Sequence, residues 1–325
     1  MLAVFGLAIW LPIYLLSPVR TAGPPVPVNI PLGANASAIG NALEKAGLIH
    51  NATVFTIAAR LYGESGNMKA GEYKIPPKHG VFEIIDQLVA GNSEAQWVVI
   101  PEGRTLKQIA QALEAERLAD AEEFLRAARR PPSEYGLDVS PRWKTCDGFL
   151  FPDSYKLPKQ ASARTIVAEM VKTWKRKVWE PNQELFKSAS LTPDKIVVAA
   201  SLIEREARVP QDRPLISSVI RNRLARKMKL QIDATVLFAL GRHQQVVLYK
   251  DLEVDSPYNT YKHKGLPPGP ICQPGLAAIE AALKPADEDY LFYVAMPDGS
   301  HVFTSSAAEH DRAVRDARRA RGLAQ

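Results

Sequence analysis

The sequence is poor in the residues that hold metals or staple small domains. Its two cysteines, Cys146 and Cys272, stand far apart in a chain of 325 residues, too few for a disulfide framework or a zinc site. One bridge remains open if the chain is exported, but two separate buried thiols are the expectation. Six histidines are scattered without ligand spacing, so His301 and His310 do not argue for a metal, and none is expected. Charge of one sign is also scarce. Lys and Arg number 41 against 35 Asp and Glu, a net charge of +6, and much of that excess lies in residues 312–321, read as a solvated helix end. This balance suits an anionic polymer or a membrane surface. Nothing in the chain looks like a nucleic-acid module, and no nucleic acid is expected as a partner.

Long apolar runs are few. Leu2 to Leu16 is fifteen residues without a charge, slightly short for a spanning helix and interrupted by Pro12. It is followed by the linker Gly23-Pro24-Pro25-Val26-Pro27. A signal peptide or a core helix would also fit, but the extreme N-terminal position favours an uncleaved anchor with the remainder outside the cytoplasm. Hydrophobic residues make up 46% of the chain and charged residues 23%, enough for two or more domains with sizeable cores.

After the linker the chain loosely repeats itself. Ile30-Pro31-Leu32-Gly33 leads into an apolar pattern from Ile39 to Ile49 and then Phe55, and Ile100-Pro101-Glu102-Gly103 leads into one from Ile109 to Leu118 and then Phe124. Each copy has the spacing of a strand, a Gly turn and a short amphipathic helix, so the pair reads as a duplicated α+β unit. Between them, Met68 to Pro76 reads as a strand and Val81 to Asn92 as a helix. The Pro-Glu-Gly-Arg-Thr-Leu turn and the Ile-x3-Leu helix resemble the glycan-binding module LysM, with glycan binding and a spacer both open. Arg129 to Ser133 breaks the pattern. In Asp147-Gly148-Phe149-Leu150-Phe151-Pro152-Asp153-Ser154-Tyr155 the rings fit either a packing wedge or a sugar platform. Ala163 to Ser188 reads as helical, with Trp174 and Trp179 packing.

Chemistry concentrates downstream. Thr192-Pro193 opens a helix whose apolar run from Val197 to Ile203 ends at Glu204-Arg205-Glu206. A carboxylate at the end of a buried run tends to be held neutral, as a general acid requires; a surface pair between Glu204 and Arg208 is the plainer alternative. Glu204 and Glu206 project about 200° apart on a helix, so only one can act on a given bond, and helical geometry alone does not choose.

Beyond this helix come Met228-Lys229-Leu230-Gln231-Ile232-Asp233-Ala234-Thr235, Ser256-Pro257-Tyr258-Asn259-Thr260-Tyr261, Gly265 to Ile271 and Pro274-Gly275, followed by Tyr290 to Ala295, Asp298 to Phe303 and Glu309-His310. This ordered set strongly resembles the endolytic murein transglycosylases, membrane-anchored enzymes of the cell wall. The resemblance covers nearly the whole chain. It implies that Glu204 is the catalytic acid, that MurNAc-GlcNAc bonds within nascent peptidoglycan strands are cleaved without water to leave 1,6-anhydro ends, and that glycan growth is thereby terminated, with synthases as partners. Gln231, Asp233, Tyr258, Asn259 and Tyr261 have side chains suited to binding the sugar; their alternative is structural, as turn and helix caps. The family's older label, aminodeoxychorismate lyase, predicts a pyridoxal-phosphate enzyme, but no lysine stretch looks like that site and no cofactor is expected. A peptidoglycan-binding scaffold of the synthesis machinery and a water-using muramidase stay open as alternatives.

The expected fold class is α+β. Residues 1–20 form a membrane anchor in the inner membrane, 21–28 a linker, 29–130 a LysM-like duplicated region and 131–325 a mixed α/β catalytic domain on the extracytoplasmic side.

Overall fold

The computed structural model describes residues 14–31, 33–91, 95–139, 143–158, 161–241 and 247–322. The chain is α+β and divides into two compact units that do not follow its linear order. One holds the residues up to Val98 with Ala112–Ala121 and Ser154–Ile166; the other holds Val99–Gln111, Glu122–Asp153 and Val167 onward. The anchor reading falls mostly on residues 1–13, outside the described residues. Among the described residues no helix is long and apolar enough to cross a membrane.

In the first unit, β1 (Val26–Ile30) pairs antiparallel with β2 (Gly71–Ile75), in register from Val26 opposite Ile75 to Ile30 opposite Gly71. Alternate residues of the two strands, including Val28, Ile30, Tyr73 and Ile75, turn inward, as a sheet with one buried face requires. Helices α1 (Ala36–Lys45) and α2 (Ala52–Leu61) are each started by an Asn, whose side chain accepts from Ala38 at Asn35 and from Thr53 and Val54 at Asn51. Helix α3 (Val81–Ala90) stops at Gly91, which takes the left-handed conformation at φ 76°. Ile39, Leu43, Phe55, Ile84 and Leu88 close one core with the strands. A second two-stranded sheet joins β3 (Ala95–Val99) to β4 (Ser154–Pro158).

Helices α4 (Leu106–Ala115) and α5 (Ala121–Ala128) follow β3. Thr105 and Gln108 cap the first of them reciprocally, Gln108 N–H donating to Thr105 Oγ1 and Thr105 N–H to Gln108 Oε1. The second unit is mainly helical: α6 (Ala163–Trp174) runs through one wide turn at Lys175–Trp179 into α7 (Glu180–Ser188). Trp174 is fully buried, 4.8 Å from Phe149 and 6.3 Å from Phe186 between ring centres. Phe149, Phe151 and Tyr155 are all buried, so these rings serve packing and leave no face for a sugar.

Helix α8 (Pro193–Glu206) is the element on which the site depends. Pro193 occupies its first turn, where a missing N–H costs nothing, and Ile196 to Ile203 are all buried. It packs against α9 (Asp212–Ala225), α10 (Asp233–Leu240) and α11 (Leu276–Leu283). A β5–β6 hairpin (Phe292–Ala295 and His301–Thr304, antiparallel) and α12 (Ala307–Ala320) complete the unit. α12 opens on a Ser306/Glu309 capping box and buries Ala313 and Ala317, leaving its arginines mostly in water. Cys146 and Cys272 are both buried and unpaired.

Candidate active site

Glu204 and Glu206 leave α8 on different sides and meet different surroundings. The segment Ile271–Gly275 runs along the Glu204 side: Ile271 N–H donates to Ser201 Oγ at 3.1 Å, and Gly275 N–H to Glu204 Oε2 at 3.1 Å. Gly275 also caps α11, so Glu204 faces the positive end of that helix dipole. No ion pair joins Glu204 to Arg208 among the described residues. Glu204 is half-buried. Burial raises its carboxyl above the ordinary range and Glu102 adds to the rise, while the Gly275 bond, Arg213 and Arg205 pull the other way without overcoming it. The net result is a half-buried carboxyl that keeps its proton longer than a free glutamate.

Glu206 is tied into structure instead. Its Oε2 accepts from Tyr293 OH at 3.0 Å, and it takes a backbone bond from Ala234 at the start of α10; burial pushes it up to about 7, with Asp233 adding to the rise. Asp233 receives Tyr261 OH at 2.5 Å. It occupies the first turn of α10 rather than the cap, which is Ile232.

The other sequence-derived residues gather on the same unit. Gln231 is exposed with φ at +51°, a left-handed conformation that costs a non-glycine residue on the order of 1–3 kcal/mol and persists only where surroundings enforce it. Arg223, buried on α9, supplies that enforcement. Its Nη1 donates to Leu230 O at 2.8 Å and to Gln231 Oε1 at 3.2 Å, and its Nε to Leu291 O at 2.6 Å. Asn259 is fully buried, and its amide donates to Leu252 O and Val254 O while its Oδ1 accepts from Tyr261 N–H. It braces the turn that presents Tyr258 and Tyr261, both half-buried.

Four contributors were not assigned to the site from the sequence. Asp147 is half-buried, bonded by Gln273 Nε2 at 2.8 Å, and pushed up to about 7 by desolvation. Gln273, fully buried, also accepts from Leu150 N–H at 3.0 Å and exchanges backbone bonds with Gly103 and Arg104. Arg223 and Glu102 complete the set. The Pro-Glu-Gly turn was visible as a turn, but its meeting with Gly275 lies 173 residues further along (275 − 102).

The raised carboxyls make a checkable statement about stability. Asp147 rises from 3.8 to about 7, so the folded state binds this proton more tightly than the unfolded chain. Its contribution is complete at low pH and is lost as pH climbs through about 7. Asp147→Asn is expected to remove that loss, raising Tm above wild type at pH near 8 and converging with it near pH 4. Thermal unfolding across that range checks it; a difference independent of pH would contradict it.

A cavity of about 610 Å³ lies in the first unit, lined among others by Ile30, Asn35, Met68, Lys69, Pro158 and Thr165. No carboxylate is among its described lining residues. Fold and site together define an α+β protein in which a buried helix ends on a half-buried glutamate that holds its proton, beside a polar scaffold of Gln273, Asn259 and Arg223.

The chain belongs to the YceG-like family, whose model matches residues 28–316. It is 38% identical over 314 residues to the endolytic murein transglycosylase of Bacillus subtilis (strain 168), covering 92% of this chain and 87% of that protein. It is 32% identical over 320 residues to the protein of that name from Streptococcus pneumoniae serotype 2 (strain D39 / NCTC 7466), covering 89% of this chain and 58% of that longer one. A crystal structure of a yceG-like protein from Listeria monocytogenes superposes with a TM-score of 0.62 at 36% identity, over 88% of this chain and 98% of that chain.

Proposed function

We propose that this protein is a lytic transglycosylase that cleaves peptidoglycan strands internally, with Glu204 as its acid and base. The observation that carries the reading is the half-buried Glu204 carboxyl, held above the ordinary glutamate range where Gly275 meets it. The names of its relatives supply the polymer. Glu204 gives its proton to the oxygen bridging MurNAc C1 to GlcNAc, and the C1–O bond breaks as positive charge develops at C1. The resulting carboxylate then takes the proton of the MurNAc C6 hydroxyl while that oxygen bonds to C1. A 1,6-anhydro end forms, Glu204 is protonated again, and no water is consumed. One carboxylate suffices because the nucleophile belongs to the substrate, whereas hydrolases place two at set separations.

Gln231, Asp233, Tyr258 and Tyr261 present amide, carboxylate and ring faces to the sugars, with Asn259 holding their turn. The duplicated segment of residues 29–130 is LysM-like and supports strand binding, 131–325 carry the catalytic machinery, and the apolar N-terminus anchors the chain in the membrane with the enzyme on the wall side, near the synthases whose product it trims. Mass spectrometry of purified peptidoglycan after digestion tests the reaction. Internal cuts ending in anhydroMurNAc are expected. Reducing ends would indicate a muramidase, and binding without new ends a scaffold; either outcome overturns the proposal.

A further inference from the structure

A second carboxylate stands at the same helix start as Glu204, and nothing in the proposed chemistry yet uses it. Glu102 lies in the turn after β3. Gly103 N–H donates to Gln273 O at 2.9 Å and Gln273 N–H to Arg104 O at 2.8 Å, so this turn is laced to the strand of chain that ends at Gly275. The side chain of Gln273 is itself locked by Asp147 and Leu150. As a result the Glu102 carboxylate rests directly against Gly275. A methyl group there would sit 2.0 Å from Glu102 Oε1 and 2.6 Å from its Oε2, so the Glu102 carboxylate would have to swing away to make room. The same Gly275 donates its N–H to Glu204. Gly103 lies on this approach too, a methyl placed on it falling 3.8 Å from Glu204 Cγ. Two carboxylates thus converge on one glycine from different parts of the chain. Glu102 has no ion pair of its own among the described residues.

Resting on the reading of Glu204 as the acid, we propose that Glu102 is a positioning residue of the reaction, acting on Glu204 across Gly275. Two like charges so close resist being present together. Glu102 adds to the rise of the Glu204 carboxyl, which keeps its proton until a glycosidic oxygen is there to take it. The other groups facing Glu204 act as a counterweight: Arg205 from its own helix and Arg213 from α9 favour its ionised form, as does the Gly275 amide. Cys272 is a neutral buried thiol, raised well above its ordinary value by burial. Asp233 of α10 faces Glu206 instead. Without Glu102 the two arginines and the amide would oppose burial alone. The device also explains a glycine at the start of α11, since any larger residue would expel Glu102.

The test is the pH dependence of fragment release from peptidoglycan by the full chain, measured between about pH 5 and 9 for a series at this position. Glu102→Gln is expected to move the alkaline limb of the profile to lower pH, giving a several-fold loss on that limb and little on the acid side. Glu102→Lys is expected to move it further in the same direction, and Glu102→Asp to keep it near wild type. All three variants should retain the wild-type Tm, because the side chain is exposed. Limbs unmoved in both Gln and Lys variants, or a loss equal at every pH, would overturn the inference. Glu204→Gln serves as the control: if it still releases anhydro ends, the reading of Glu204 fails, whereas an inactive Glu204→Gln beside unmoved Glu102 profiles defeats the role of Glu102 alone.

Discussion

Glu204→Gln is expected to reduce strand cleavage on the order of 10³-fold, the scale of a lost general acid, while leaving Tm at or slightly above wild type. The two parts follow from one geometry. Gln keeps the shape of the side chain and an oxygen to accept the Gly275 N–H at 3.1 Å, so α8 and α11 stay joined. It has no proton to give to a glycosidic oxygen. It also removes a carboxyl whose burial opposes ionisation, and substituting a neutral group there relieves a cost rather than adding one. Fragment release from purified peptidoglycan, read beside a thermal unfolding curve of the same preparation, checks both. A variant that cleaves at a rate close to wild type would remove Glu204 from the chemistry, and one that unfolds early would make it a structural residue.

Gly148→Ala is expected to be the most damaging single methyl in the second unit. Gly148 has φ at +81°, and an added Cβ would meet Val197 Cγ1 at 2.5 Å and Pro270 Cγ at 2.7 Å. Val197 belongs to the buried run of α8, and Pro270 directly precedes the segment that brings Gly275 to Glu204. Backbone strain and overpacking add, about 2–4 kcal/mol together, or a fall in Tm of roughly 5–15 °C for a unit of this size. Gly136→Ala separates the two costs. Its φ is nearly the same at +80°, but nothing lies within 4 Å of the added methyl, so only strain of about 1–2 kcal/mol is expected. Equal losses from the two variants would mean that the contact with Val197 and Pro270 carries no weight.

The local grammar of the chain was readable, and its long-range meetings were not. Pro193 at the start, the apolar run and the closing acids gave the course of α8, and a separation of two residues put Glu204 and Glu206 on different sides, as they are found. The strand at Gly71–Ile75 and the helix at Val81–Ala90 follow the same periodicities. Spacing reports which face of an element a residue occupies; it carries nothing about what that face will touch. Hence the bond from Gly275 to Glu204 and the hub at Gln273 had no counterpart in the pattern. Nor did the guanidinium of Arg223 that holds Gln231 in its left-handed conformation. The two repeats share short motifs but differ in their contacts: Gly103 exchanges bonds with Gln273 in the second unit, while β1 pairs with β2 in the first. Aromatic residues around Pro152 fitted a sugar platform as well as a core, and burial decides for the core.

The protonation of Glu204 can be observed without any substrate. Carboxyl infrared spectra of wild type and Glu204→Gln, recorded through a pH titration and subtracted, isolate this one group. A midpoint above the ordinary glutamate value of 4.5, with protonated carboxyl persisting toward neutrality, is the result expected of an acid waiting for a glycosidic oxygen. A midpoint at or below 4.5 would show that Arg205, Arg213 and the Gly275 amide prevail over burial, and that this carboxyl has no proton to give.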